Sequence, residues 1–361
     1  MAVKAAILTI LLAAATTAVM GNDYNAVPPN KSQLNSWFNQ NVRPVNERKS
    51  TLDPALVKAE QSRRVITVRQ DGKGNFKRIT DAVNSVPSGN SRRVIIYIGP
   101  GEYREKITID RTKKFVTLYG NPNAKPTLTY GGTAAQYGTV DSATLMALAD
   151  YFVAANLIIK NSAPKPDGKR KGAQASALRI SGDKSAVYNC RILGFQDTIC
   201  DDRGYHLFKD CYIEGTVDFI FGSGTSLYLN SELHVIPNSG GTVIAAQARE
   251  SSDNTGYSFV HCVITGAGGN TFLGRAWMSR PRVVYIYTSM SSAITTAGWS
   301  DNFHPERDGT VFFGEYGDFG SGASKSGRAK FAKQLTFNQA KPYMTLSFIR
   351  GSSWLLPPPS L

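Results

Sequence analysis

The sequence is thin in cysteine, in acidic residues and in long apolar runs, and each shortage closes off a class of protein. Four cysteines in 361 residues cannot frame a disulfide-built miniprotein, and no Cys-x-x-Cys pair offers a zinc site. Beyond the first twenty residues no apolar stretch reaches the length of a bilayer span. Charged residues make up only 19%, too few for a disordered chain, while a hydrophobic content of 42% supplies a sizeable core. Acids are the scarcer sign. The 27 Asp and Glu against 41 Lys and Arg leave a net charge of +14, a field that favours a polyanion: nucleic acid, an anionic membrane or an acidic polysaccharide.

The opening residues shorten that list. Lys4 precedes an apolar run from Ala5 to Met20, and Gly21 follows, which reads as a secretory signal peptide over residues 1–21. Cleavage is expected before Asn22, with Ala18 the rival position. The run is short for a membrane anchor and diluted by Thr. Secretion removes intracellular nucleic acid and membrane from the expected partners. One glycosylation sequon, Asn30-Lys31-Ser32, lies in the polar lead-in.

Residues 22–64 are polar and carry Pro28, Pro29 and Pro44, so an extended arm with one short helix is expected. Residues 65–361 read as a single domain with a C-terminal tail. It opens with a strand over 65–68 and a Gly-rich turn over 71–75. Phe76, Ile79, Ala82, Val83 and Val86 then fall at helical spacing and predict a short helix ending near Pro87. Such a helix suits the cap of a solenoid. Short β-branched runs follow at 93–98, 106–109, 115–119, 127–130, 152–159 and 283–287, separated by Gly, Asn and Asp turns. Their density predicts an all-β fold, open among sandwich, propeller and solenoid.

Internal repetition chooses among them. Cys190-Arg191-Ile192-Leu193-Gly194-Phe195-Gln196-Asp197-Thr198-Ile199 and Cys211-Tyr212-Ile213-Glu214-Gly215-Thr216-Val217-Asp218-Phe219-Ile220 share Cys, Ile, Gly, Asp and Ile. The first half returns at Cys262, Ile264 and Gly266, with an echo at Leu157, Ile159 and Asn161. A repeat of this size fits one turn of a stacked coil. The prediction is a right-handed parallel β-helix, with a sandwich as runner-up. Cys190 and Cys211 then stack inside as small hydrophobes, although four cysteines also permit disulfides in three connectivities.

The same register superposes Asp197 and Asp218. Neighbouring parallel strands lie about 4.8 Å apart, and two carboxylates that close cannot both ionise cheaply. One would serve as nucleophile or base beside a protonated partner. A pair of turn-forming Asp residues beside Gly194 and Gly215 fits equally well, and about 5 Å would also suit a retaining glycosidase. Gln196 and Gln174, the latter one coil earlier, favour acyl chemistry, because neutral amides can hold the oxyanion of a tetrahedral intermediate.

These segments, Gly194 to Thr198, Val217 to Gly222 and Leu273-Gly274-Arg275-Ala276-Trp277, resemble the three signature segments of plant pectin methylesterases. Gly101 to Glu105, Gln174 to Arg179 and Asp71 to Phe76 resemble further blocks of that family, and the likeness runs from Val65 to Trp354-Leu355. Cys200-Asp201-Asp202 and the ending from Trp354 to Pro359 look most like the pollen-expressed, allergen-type branch.

The resemblance implies an esterase that removes C6 methyl esters from polygalacturonate without cofactor or metal. It implies Asp218 as nucleophile, Asp197 as general acid and then base, Gln174 and Gln196 as oxyanion hole, and Arg275 pairing with Asp218 to lower its pKa. Trp277 would be a wall for the sugar ring, and Thr139 matches a substrate-contacting position. It further implies methyl-esterified homogalacturonan as partner, a proteinaceous pectinesterase inhibitor as a second, a monomer, and a place in the extracellular cell wall. Two departures stand out. Ala276 replaces the usual Pro and is expected to loosen the turn carrying Arg275 and Trp277, and residues 22–64 are too short for the inhibitor-like pro-region.

The remaining features carry plainer readings. Lys165, Lys169, Arg170 and Lys171 form a solvated loop that could attract free carboxylates. His206 and His261 are structural. A pectin depolymerase lacks its usual Asn-Thr-Asp, Gly-His-Gly and Arg-Ile-Lys elements here, and Asp201-Asp202 alone is thin support for a lyase calcium site. A non-catalytic wall-binding module would not need the whole set of site residues.

Overall fold

The computed structural model describes residues 25–251 and 253–360; the expected signal peptide, residues 1–21, lies outside the described residues. Strands of three to six residues dominate, and they stack in parallel into one sheet of eleven and two of eight. Successive strands go to successive sheets. Ser185–Tyr188, Arg191–Leu193 and Ile199–Asp201 make one coil, and Tyr205–Lys209, Tyr212–Gly215 and Ile220–Gly222 make the next. This is the right-handed parallel β-helix that the repeat predicts. A sandwich is excluded, since its strands would pair antiparallel.

The repeat is a ladder register. Ile192 pairs with Ile213 and Ile199 with Ile220. Cys190, Cys211 and Cys262 point into the lumen at the same corner of their coils, and all four cysteines are buried free thiols. Burial pushes the Cys190 and Cys262 thiols up to about 12, so they behave as hydrophobes. Phe208, Tyr228, Phe259 and Tyr285 stack along the axis at centroid spacings of 4.6 Å, close to the interstrand distance.

Six successive coils turn at one corner on a residue in the left-handed conformation: Asn156, Asn189, Asp210, Asn230, His261 and Tyr287, all with φ between 50° and 59°. Asn and Asp tolerate this backbone best. The run at 152–159, expected as one strand, is therefore two, Val153–Ala155 and Ile158–Asn161, because Asn156 breaks it.

The eleven-stranded sheet is apolar on both faces. In Val94–Ile98, Ile96 faces the lumen cluster and Ile95 faces outward. The outward face is covered by the arm and by the C-terminal tail through Leu346, Ile349, Trp354 and Leu355. The arm is more helical than expected. It holds α1 (Leu34–Asn41) and α2 (Pro54–Gln61), since Leu34, Trp37, Phe38, Leu56 and Ala59 find an apolar sheet to bury against. The predicted cap is α3 (Ile79–Asn84), which closes the lumen with Ile79, Ala82 and Val83. Its first N–H groups donate to the Glu105 carboxylate, Ile79 and Thr80 each at 2.9 Å. With arm and tail on one sheet, the open surface belongs to the other two.

Candidate active site

Asp197 and Asp218 sit in the turns that lead into strands Ile199–Asp201 and Ile220–Gly222. Strand parity could not decide their facing, because both turns pass through the left-handed region, with φ of 65° at Asp197 and 50° at Asp218. Non-glycine residues held in that region cluster at functional sites. The preceding glycines are needed for these turns: a Cβ on Gly215 would lie 2.2 Å from Cβ of Phe219. Asp197 N donates to Val217 O at 3.1 Å, and Ala175 N to Gln196 O at 3.3 Å. Gln174, Gln196-Asp197 and Asp218 therefore occupy three consecutive coils, as the register predicts.

Both carboxylates are nearly enclosed, Asp197 8% and Asp218 6% exposed, but their partners differ. Arg275, at the end of strand Thr271–Arg275, donates from Nε to Asp218 Oδ1 at 2.8 Å and from Nη2 to the other carboxylate oxygen. Asp197 receives no such bond. Burial pushes the Asp218 carboxyl up and Arg275 pulls it back. Arg275 lowers the Asp218 carboxyl in the expected direction, but desolvation outweighs the guanidinium and leaves it above its ordinary value. Asp197 is driven well above the carboxylate range by burial and then by the Asp218 charge, with Arg275 opposing more remotely. Asp218 ionises first, leaving an anion beside a neutral acid.

The side-chain amides of Gln174 and Gln196 are half-buried and make no hydrogen bond to another described residue. They are donors without a resident acceptor next to the carboxylates. Trp277 is 46% exposed, with the Arg275 guanidinium 4.7 Å from its ring centroid. Thr139 lies in a neighbouring loop tied to the Gln174 segment through Ala134 N to Gln174 O and Ala135 N to Gly172 O, both 2.8 Å. The turn at Ala276 is held by hydrogen bonds. The Ala276 N–H donates to Ser300 O at 2.9 Å, and Arg307 Nη1 donates to the carbonyls of Ala276 at 2.6 Å and Trp277 at 2.9 Å.

Sequence reasoning missed Asn302 and Arg307. Asn302 Oδ1 accepts from Arg275 Nη1 at 2.9 Å, and the two residues lie in a loop outside the repeat. His206 and His261 are structural: His206 is buried between Asp201 and the Gly182 carbonyl, and His261 Nε2 donates to Pro28 O at 2.7 Å while its ring stacks on Tyr287. Asp201 and Asp202 are taken up by His206 and Tyr228 and by Arg179 and Ser181. In the basic loop, Arg170 pairs with Asp167 and Lys165 donates to Pro237 O. A cavity of about 370 Å³ between arm, tail and sheet includes none of the site residues.

A mostly parallel coil bearing a carboxylate pair, two donor amides and one arginine is the outline of an ester-cleaving enzyme. Comparison with known proteins agrees. The Pectinesterase family model matches residues 65–352. Putative pectinesterase 63 of Arabidopsis thaliana is 54% identical over 98% of this chain and 97% of its own, and Pectinesterase 1 of Olea europaea is 53% identical over 99% and 97%. Among solved structures, a pectin methylesterase from carrot superposes with a TM-score of 0.74 at 32% identity, covering 80% of this chain and 94% of that one. A pectin methylesterase in complex with a hexasaccharide superposes with a TM-score of 0.69 at 28% identity, over 81% and 98%. The chain belongs to the pectinesterase family and is a carboxylic ester hydrolase.

Proposed function

We propose that the enzyme hydrolyses the C6 methyl esters of homogalacturonan through an acyl-enzyme on Asp218. The observation that carries this reading is the one-sided arginine: two coils stack two buried carboxylates, and Arg275 bonds only one. Asp218 attacks the ester carbonyl, and the amides of Gln174 and Gln196 receive the oxyanion. Asp197 gives its proton to departing methanol, then takes one from the water that cleaves the anhydride, restoring both carboxyls. Trp277 offers its exposed face to a sugar ring, and Thr139, in the loop tied to the Gln174 segment, is a further substrate contact in this reading.

The chain's excess of positive charge suits a polymer that gains a carboxylate at every turnover. In this reading the protein is exported by residues 1–21, acts as a monomer in the cell wall without cofactor, offers the Asn30 sequon for glycosylation and is open to a proteinaceous inhibitor. The deciding experiment follows methanol release and polymer length together on highly methylated pectin for wild type and Asp218→Ala. Methanol without shortening, lost in the variant, is the expected result. Shortening without methanol would replace the esterase reading with a depolymerase.

A further inference from the structure

The loop that follows strand Trp299–Ser300 belongs to no repeat, yet it folds back onto the end of strand Thr271–Arg275. Three consecutive site residues are tied to it. Arg275 Nη1 donates to Asn302 Oδ1 at 2.9 Å, Ala276 N to Ser300 O at 2.9 Å, and the carbonyls of Ala276 and Trp277 both accept from Arg307 Nη1. The loop is itself braced. Asn302 N donates to Ser300 Oγ and Phe303 N to Asp301 Oδ1, both at 3.0 Å, and Arg307 N donates to His304 O at 2.9 Å.

Its backbone is held in an unfavourable shape. Asn302 and Phe303 are consecutive left-handed residues, with φ of 58° and 61°. Phe303 is 96% exposed, so no side-chain burial offsets that conformation. What the shape delivers is the Asn302 contact to Arg275. Arg307 is likewise committed to the site segment: its acidic neighbour Glu306 lies 3.9 Å away and is mostly exposed, a weak pair beside two charge-assisted bonds to carbonyls.

We infer that Asn302 and Arg307 are positioning residues, which hold Arg275 against the Asp218 carboxylate and Trp277 against Arg275 without touching the reacting atoms. This rests on the reading of Asp218 as nucleophile. Arg275 spends Nε and Nη2 on Asp218 and Nη1 on Asn302, so the guanidinium plane is fixed from both sides. Arg307 fixes the two peptide units that set where the Trp277 ring lies on that plane. Loss of either hold lets the guanidinium swing on its long stem, and misplacement by about 1 Å is enough to cost on the order of a hundredfold in rate.

The test compares Arg307→Met, Arg307→Lys and Asn302→Gly with wild type and Asp218→Asn, measuring kcat and KM for methanol release across pH, with Tm for each. Glycine accepts the left-handed backbone at 302, so that variant removes the acceptor without endangering the fold and decides the matter if Arg307→Met does not fold. Arg307→Met is expected to lower kcat about tenfold and raise KM through Trp277. Its acidic limb should move to higher pH as Asp218 loses its cation, and Arg307→Lys should recover part of both effects. Asn302→Gly should shift the acidic limb with Tm unchanged or raised. Altered Tm with wild-type pH profiles would mean the loop is only a brace, and overturns the inference. An active Asp218→Asn would sink the nucleophile and this inference together; an inert one beside wild-type profiles in the loop variants sinks this inference alone.

Discussion

Arg275 donates from two nitrogens to the carboxylate of Asp218 and makes no hydrogen bond to that of Asp197, one coil away. Chemical asymmetry is thereby imposed on two aspartates that the repeat makes equivalent. A lysine cannot reproduce the two-point contact. Arg275→Lys should lower kcat on the order of a hundredfold and move the acidic limb of the rate profile upward, because burial is then opposed less. Methanol release against pH reads both.

Asp197 is enclosed with no hydrogen bond to its carboxyl from any described residue, and burial and the Asp218 charge raise its pKa well above 3.8. The folded state therefore holds a proton that the unfolded state has released. Stability contributed by this group is full below the unfolded value and is lost as pH climbs toward the folded one. Asp197→Asn should abolish turnover yet raise Tm, corresponding to about 1 kcal/mol near neutrality. The gain should shrink to nothing as pH falls to the ordinary aspartate value; thermal melts at a series of pH values give the answer.

His206 and Asp201 are both fully buried, with Nδ1 and Oδ1 2.6 Å apart, and Tyr228 OH donates to the other carboxylate oxygen at 2.7 Å. Removing one member leaves the other buried and short of a partner. His206→Leu should cost about 3–5 kcal/mol, measured by urea unfolding. A loss below about 1 kcal/mol would show that Tyr228 alone satisfies Asp201.

Ala276 supplies an N–H that proline lacks, and that N–H is used by Ser300 O. Ala276→Pro should therefore destabilise the chain by about 1 kcal/mol and reduce turnover several-fold. Paired melts and rates would check it; faster turnover would mean that rigidity at this turn outweighs the lost bond.

The coil and the aspartate pair were legible because a solenoid writes its register into the sequence: Cys190 and Cys211, or Asp197 and Asp218, recur at equal offsets from their paired isoleucines. What stayed hidden lies off the repeat. Asn302 and Arg307 reach Arg275 and Trp277 from a loop whose contacts obey no periodicity. The direction of the two Asp side chains depended on a left-handed φ that alternation of strand residues cannot reveal. The two arm helices escaped for another reason: Trp37 and Leu56 are helical because the outer face of the eleven-stranded sheet awaits them, not because of local propensity.

The row of left-handed corners has a consequence for how such a fold can change. Successive corners at 156, 189, 210, 230, 261 and 287 are separated by 33, 21, 20, 31 and 26 residues, yet each corner N–H donates to the neighbouring coil in the same way, as in Asn189 N to Lys209 O and Asp210 N to Leu229 O. The corner acts as a zero mark. Whatever length a coil adds in its outer loops is cancelled before the next begins, so insertions need not slip the stack that brings Asp197 over Asp218. The loops of the site face are free to lengthen and vary while the two carboxylates keep their separation.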